Sequence, residues 1–122
     1  MPKKAPIKIL VVEDETFLVK IYAVKLKKEG FDVMIANDGE AAVRSAEEFK
    51  PDLILLDLIL PKMNGFEALE KIRAGTVNRK TPVIVLSNLG QEEDIKRAAA
   101  LGADDYLVKA NFSIQDIVAK IR

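Results

Sequence analysis

Four short runs along the chain, "IKILVV" at 7–12, "DLILLD" at 52–57, "PVIVLS" at 82–87 and "DYLV" at 105–108, are rich in isoleucine, valine and leucine. Near-continuous apolar runs of this length are the pattern of strands covered on both faces. A weaker fifth run, "FDVMIA" at 31–36, follows Gly30. Between the runs, apolar and small residues recur at helical spacing: Leu18, Ile21, Tyr22 and Leu26 in the first segment, Ala41, Ala42, Ser45 and Ala46 in the second.

The punctuation between these segments agrees with them. Gly30 and Gly102 stand where helices should stop, Asn64 can cap the helix that follows Pro61, Pro82 opens a strand, and a last helix starts near Ser113. Five strand–helix pairs predict an open parallel sheet with right-handed crossovers and helices on both faces. Ligands of such sheets bind beyond the carboxyl ends of the strands, where the strand order reverses. The residues at those ends are Glu13 and Asp14, Asp57, Ser87 and Lys109, so distant polar groups are expected to converge on one rim.

Composition narrows the chemistry. The 122 residues, 49% apolar and 31% charged, fit one domain over 1–122. A net charge of zero speaks against broad attraction to nucleic acid or to anionic membrane, so any partner is chosen locally. With no cysteine and no histidine, disulfides, thiolate metal sites and imidazole bases are excluded. The opening "MPKKAPIKILVV" is basic, but its apolar run is short and meets Glu13 and Asp14 at once, unlike a signal peptide or a membrane span. A cytoplasmic location is the expectation.

Taken singly, the rim residues have ordinary readings. Glu13 and Asp14 suit the start of a helix, Ser87 a turn, and Lys109 a solvated surface. Asp57 is different, because the apolar run around it pins a carboxylate where an unpaired charge would be costly. Three acids close together repel, so they need a cation or must share protons. Magnesium suits them, since it takes hard oxygen ligands and works with one or two carboxylates plus phosphate oxygens. With Lys109 and Ser87 added, the set fits transfer of a phosphoryl group onto Asp57 as nucleophile.

The segments "ILVVEDE", "LILLDLILPKMNG", "PVIVLSN" and "GADDYLVK", in this order and spacing, closely resemble the receiver domain of two-component response regulators, from about residue 7 to 122. The resemblance implies a flavodoxin-like five-stranded parallel sheet of order 2-1-3-4-5 flanked by five helices. It implies Asp57 as phosphoacceptor, Mg2+ held by Asp14, Asp57 and the backbone carbonyl of Ile59 with Glu13 acting through water, and Ser87 and Lys109 on the phosphoryl group. Tyr106 matches the aromatic that turns inward on activation, and helix 4, strand 5 and helix 5 the surface that then changes. The implied partners are a histidine kinase or histidine phosphotransfer protein as donor, an output domain or target protein downstream, and a second copy on phosphorylation. Neither nucleic acid nor membrane is an expected direct partner.

Two positions depart from the family pattern. Ala110 follows Lys109 where proline is common, which makes a trans bond the expectation. Asn88 replaces a smaller residue after Ser87 and bears on how long a phosphorylated state lasts. An aspartate-nucleophile phosphohydrolase is the enzymatic alternative, but Ile59 occupies the place of its second acid. A pseudo-receiver would lack one of Asp14, Asp57 or Lys109, and all three are present. The expected role is regulatory, limited to phosphorylation and dephosphorylation of Asp57. The brief last helix leans toward a receiver cut from a longer protein.

Overall fold

A computed structural model describes residues 6–121; the basic opening at 1–5 and Arg122 lie outside the described residues. In chain order the elements are β1 (Lys8–Val12), α1 (Thr16–Lys28), β2 (Asp32–Ala36), α2 (Gly39–Phe49), β3 (Leu53–Leu56), α3 (Gly65–Ala74), β4 (Val83–Ser87), α4 (Glu92–Ala100), β5 (Asp105–Val108) and α5 (Ile114–Ile121). A single 3-10 turn, Lys109–Asn111, separates β5 from α5. The strands form one parallel sheet of order β2-β1-β3-β4-β5. The expected order and all five expected strands are present.

Local chemistry explains the boundaries. Asn64 caps α3 by accepting from the N–H of Glu67 at 3.0 Å, and Asp38 does the same for α2 with Ala41 at 2.8 Å. Ser113 and Asp116 exchange bonds at the start of α5: the Ser113 N–H donates to Asp116 Oδ2 at 2.8 Å, and the Asp116 N–H donates to Ser113 Oγ at 3.1 Å. Gly30 and Gly102 follow α1 and α4 with φ of +94° and +105°, a backbone that a Cβ disfavours.

Alternation along the strands divides the core. Ile9, Val11, Leu53, Leu55 and Leu107 face α1 and α5, packing on Tyr22, Leu26, Ile117 and Val118. Leu10, Val12, Ile54 and Leu56 face α2 and α3, packing on Ala42, Ala46, Leu69 and Ile72. Each fully buried leucine or isoleucine contributes roughly 1.5–3 kcal/mol, so the inner strands hold the sheet together. The helical stripe of α1 is wider than the face it buries: Tyr22 and Leu26 are buried, whereas Ile21 is 36% exposed.

Candidate functional site

The strand order reverses at β1, whose successor β2 pairs on one side while β3 pairs on the other. Val12 and Leu56, the last residues of β1 and β3, are in register. Glu13 and Asp57 therefore leave the sheet side by side. The N–H of Asp57 donates to the carbonyl of Val12 at 3.1 Å, and that of Glu13 donates to the carbonyl of Ala36 at 3.0 Å.

Strand alternation also decides which side chains meet. Glu13, Asp57 and Lys109 each lie two residues beyond Val11, Leu55 and Leu107, on the side of the sheet that α1 and α5 cover. Lys109 Nζ donates to Glu13 Oε2 at 2.5 Å and to Asp57 Oδ2 at 2.8 Å. Glu13 and Asp57 are 2% and 6% exposed, so the lysine supplies the countercharge that a buried carboxylate pair requires. Asp14 is exposed, and a carboxylate oxygen from each of Glu13, Asp14 and Asp57 lies within 4.8 Å of the others.

Protonation follows from this arrangement. Burial pushes the Glu13 carboxyl up, opposed by its bond to Lys109 and reinforced by the charge of Asp57. Burial also works against the charged Lys109, but the bonds to Asp57 and Glu13 outweigh it and the ammonium is held above its ordinary value. Glu13, Asp57 and Lys109 thus share a compact charged unit.

Around this unit the remaining residues take distinct places. The N–H of Ile59 donates to Asp57 Oδ1 at 3.2 Å, fixing the carboxylate from the loop side, while the Ile59 side chain is 58% exposed. Ser87 is buried and on the opposite parity, and its Oγ accepts from the N–H of Leu89 at 3.3 Å. Tyr106 is partly buried against Leu58, Phe66, Val85 and Ala98, with its hydroxyl donating to the carbonyl of Leu89. The Lys109–Ala110 bond is trans, as expected for a bond without proline.

The donor set fits a hard divalent cation: oxygen atoms from three acids at one rim, one of them exposed, with no sulfur or imidazole. Sequence reasoning found every group of this unit. It missed the residues that hold the loops, Asn37 and Gly39 above all. A signal existed in "ANDGEA", where glycine directly follows a helix cap.

The fold and site define a signalling module of the receiver class. The family described as response regulator receiver domain matches residues 9–122, and the chain belongs to it. Among relatives, it is 40% identical to the alkaline phosphatase synthesis transcriptional regulatory protein PhoP of Bacillus subtilis, over 94% of this chain and 47% of that protein. It is 36% identical to the DNA-binding response regulator MtrA of Mycobacterium tuberculosis, over 94% of this chain and 49% of that one. The chain thus spans about half the length of these curated relatives.

Solved structures agree. The receiver domain of sensor histidine kinase PA1611 from Pseudomonas aeruginosa, which has a magnesium ion coordinated in its active site cleft, superposes with a TM-score of 0.86 at 33% identity, covering 96% of this chain and 95% of that one. Chemotaxis protein CheY4 of Vibrio cholerae gives 0.90 at 28% identity, covering 96% and 97%. The role of the family is regulatory, and no helix among the described residues is long and apolar enough to cross a membrane.

Proposed function

We propose that the chain, read as one domain over 1–122, is a phosphorylation switch in which Asp57 accepts a phosphoryl group from a histidine kinase or a histidine phosphotransfer protein. A carboxylate oxygen of Asp57 attacks phosphorus, the phosphorus–nitrogen bond to the donor imidazole breaks, and the imidazole leaves with the bonding electrons and takes up a proton. The product is an aspartyl phosphate.

The single observation that carries this reading is the ammonium of Lys109 between Glu13 and Asp57, 2.5 and 2.8 Å from their oxygens, beside the exposed Asp14. Asp14, Asp57 and the Ile59 carbonyl would hold Mg2+, with Glu13 reaching it through water. When bound, the ion supplies positive charge to the transferring oxygens. Lys109 orients Asp57 and offers a fixed positive charge to the same oxygens. Ser87, whose Oγ accepts from the N–H of Leu89, carries a hydroxyl that would donate to the phosphoryl group. Tyr106 and the surface of α4, β5 and α5 then carry the change to an output domain, a target protein or a second copy.

The test is the intact mass of the protein after incubation with acetyl phosphate and magnesium. A single phosphoryl adduct is expected on the wild type and none on Asp57→Asn. An adduct of equal stoichiometry on Asp57→Asn would overturn the assignment.

A further inference from the structure

Asn37 and Asp38, which join β2 to α2, and Gly39, the first residue of α2, supply none of the groups assigned above, yet they touch both loops that do. From Nδ2, Asn37 donates to the carbonyl of Glu13 at 3.4 Å. The N–H of Gly39 donates to the carbonyl of Pro61 at 3.5 Å, in the loop between Asp57 and α3. A Cβ at Gly39 would overlap the carbonyl oxygen of Met63 and stand 2.7 Å from its carbonyl carbon. Both are backbone atoms, so the loop itself would have to move. Lys62, in the same loop, reaches Asp38 Oδ2 at 3.7 Å and holds a left-handed φ of 66°.

The other end of that loop is fixed in a similar way. A Cβ at Gly65 would stand 2.5 Å from Leu58 Cα, and the Gly65 N–H donates to the Leu58 carbonyl at 2.8 Å. The segment bearing Ile59 is thus clamped by Gly65 on one side and by Gly39 on the other. Gly39 allows a contact that no larger residue permits, and Asn37 ties the same turn to the loop of Glu13 and Asp14.

We propose that the turn at residues 37–39 is a bracket that sets the spacing between the Glu13–Asp14 loop and the Asp57–Ile59 loop. Gly39 is the positioning residue on which the magnesium affinity of the acid cluster depends. The inference rests on the reading of Glu13, Asp14 and Asp57 as a cation site. Its physical ground is that acids within 4.8 Å of one another bind a small cation well only when their separation is held.

The experiment titrates Mg2+ into the intact chain by calorimetry, with thermal unfolding in parallel. Gly39→Ala is expected to fold and to bind magnesium about tenfold more weakly, as outer-shell changes do. Its amide resonances should move at Ile59 and Met63. Asn37→Ala, an exposed change that leaves the fold intact, is expected to weaken binding about twofold, the worth of one long hydrogen bond. Ile72→Val, far from the rim and in the core, should lower the unfolding temperature and leave magnesium affinity unchanged.

Wild-type affinity in both Gly39→Ala and Asn37→Ala would overturn the bracket while the cation site stands. If Gly39→Ala fails to fold, Asn37→Ala alone decides, and unchanged affinity there overturns the bracket. A wild type that binds no magnesium overturns the cation reading and the bracket with it.

Discussion

The hydroxyl of Tyr106 donates to the carbonyl of Leu89, and the N–H of the same leucine donates to Oγ of Ser87 at 3.3 Å. One peptide segment therefore links the serine beside the proposed phosphoryl site to the aromatic ring that packs on α3 and α4. If this segment couples the two, a pull on Ser87 should displace Leu89 and with it Tyr106. Tyr106→Phe keeps the ring and removes the link, at a cost of about 0.5–1.5 kcal/mol. On adding a beryllium fluoride phosphoryl mimic, amide shifts in the wild type should extend to Ile95 and Ala99 of α4. In Tyr106→Phe they should stop near Ser87; a wild-type pattern would show that the hydroxyl is not the link.

The two leading acids are predicted to differ in their hold on magnesium. Glu13 is engaged by Lys109, whereas Asp14 is exposed and free to meet a cation directly. Glu13→Ala should weaken magnesium binding about tenfold, the lower end of the roughly 10–100-fold that an outer-shell partner costs, and Asp14→Ala, which removes a direct ligand, by about a hundredfold or more. Calorimetric titration of both variants reads the difference. Equal losses would reject the division of roles.

Much of this was legible in the strands. Apolar runs that end in Glu13, Asp57, Ser87 and Lys109 place those residues at one edge once the sheet is parallel, because every carboxyl end then lies on the same side. Alternation goes further, grouping Glu13, Asp57 and Lys109 on one face and Ser87 on the other. The loops were not legible in this way. Gly39 matters through contact with Met63, a residue 24 positions away, and no period in the sequence expresses it. Asn78 is similar: it is 2% exposed and donates from Nδ2 to the carbonyl of Ala46 at 2.6 Å, while its carbonyl accepts from Arg73 at 3.0 Å. A buried amide in a polar loop is invisible until its partners are known.

Acid should loosen α5 through Asp116. The N–H and the hydroxyl of Ser113 hold the Asp116 carboxyl below the ordinary aspartate value of 3.8. A carboxyl with a depressed pKa stabilises the folded state above its unfolded value, and that contribution is lost as pH falls through the folded value. The gap in unfolding temperature between wild type and Asp116→Ala should therefore be full at neutral pH and narrow only below pH 3.8. A gap that persists unchanged at lower pH would show that the charge of Asp116 does not carry the cap.

Backbone strain away from the site offers a stability change that leaves the site alone. Lys50 ends α2 with φ 51° and ψ 61°, the left-handed region, and Pro51 follows it and prevents the helix from continuing. A side chain there costs about 1–2 kcal/mol of steric strain that glycine does not incur. Glycine gives back roughly 0.5–1 kcal/mol through the greater freedom of the unfolded chain. Lys50→Gly should therefore raise stability by about 0.5–1 kcal/mol, the difference between the two effects. Lys20, exposed within α1, provides the contrast: there the backbone is helical, and Lys20→Gly should lower stability by about 0.5–1 kcal/mol. Urea midpoints of the two variants should move in opposite directions, with magnesium affinity unchanged in Lys50→Gly. Parallel losses would mean that the left-handed lysine is not strained.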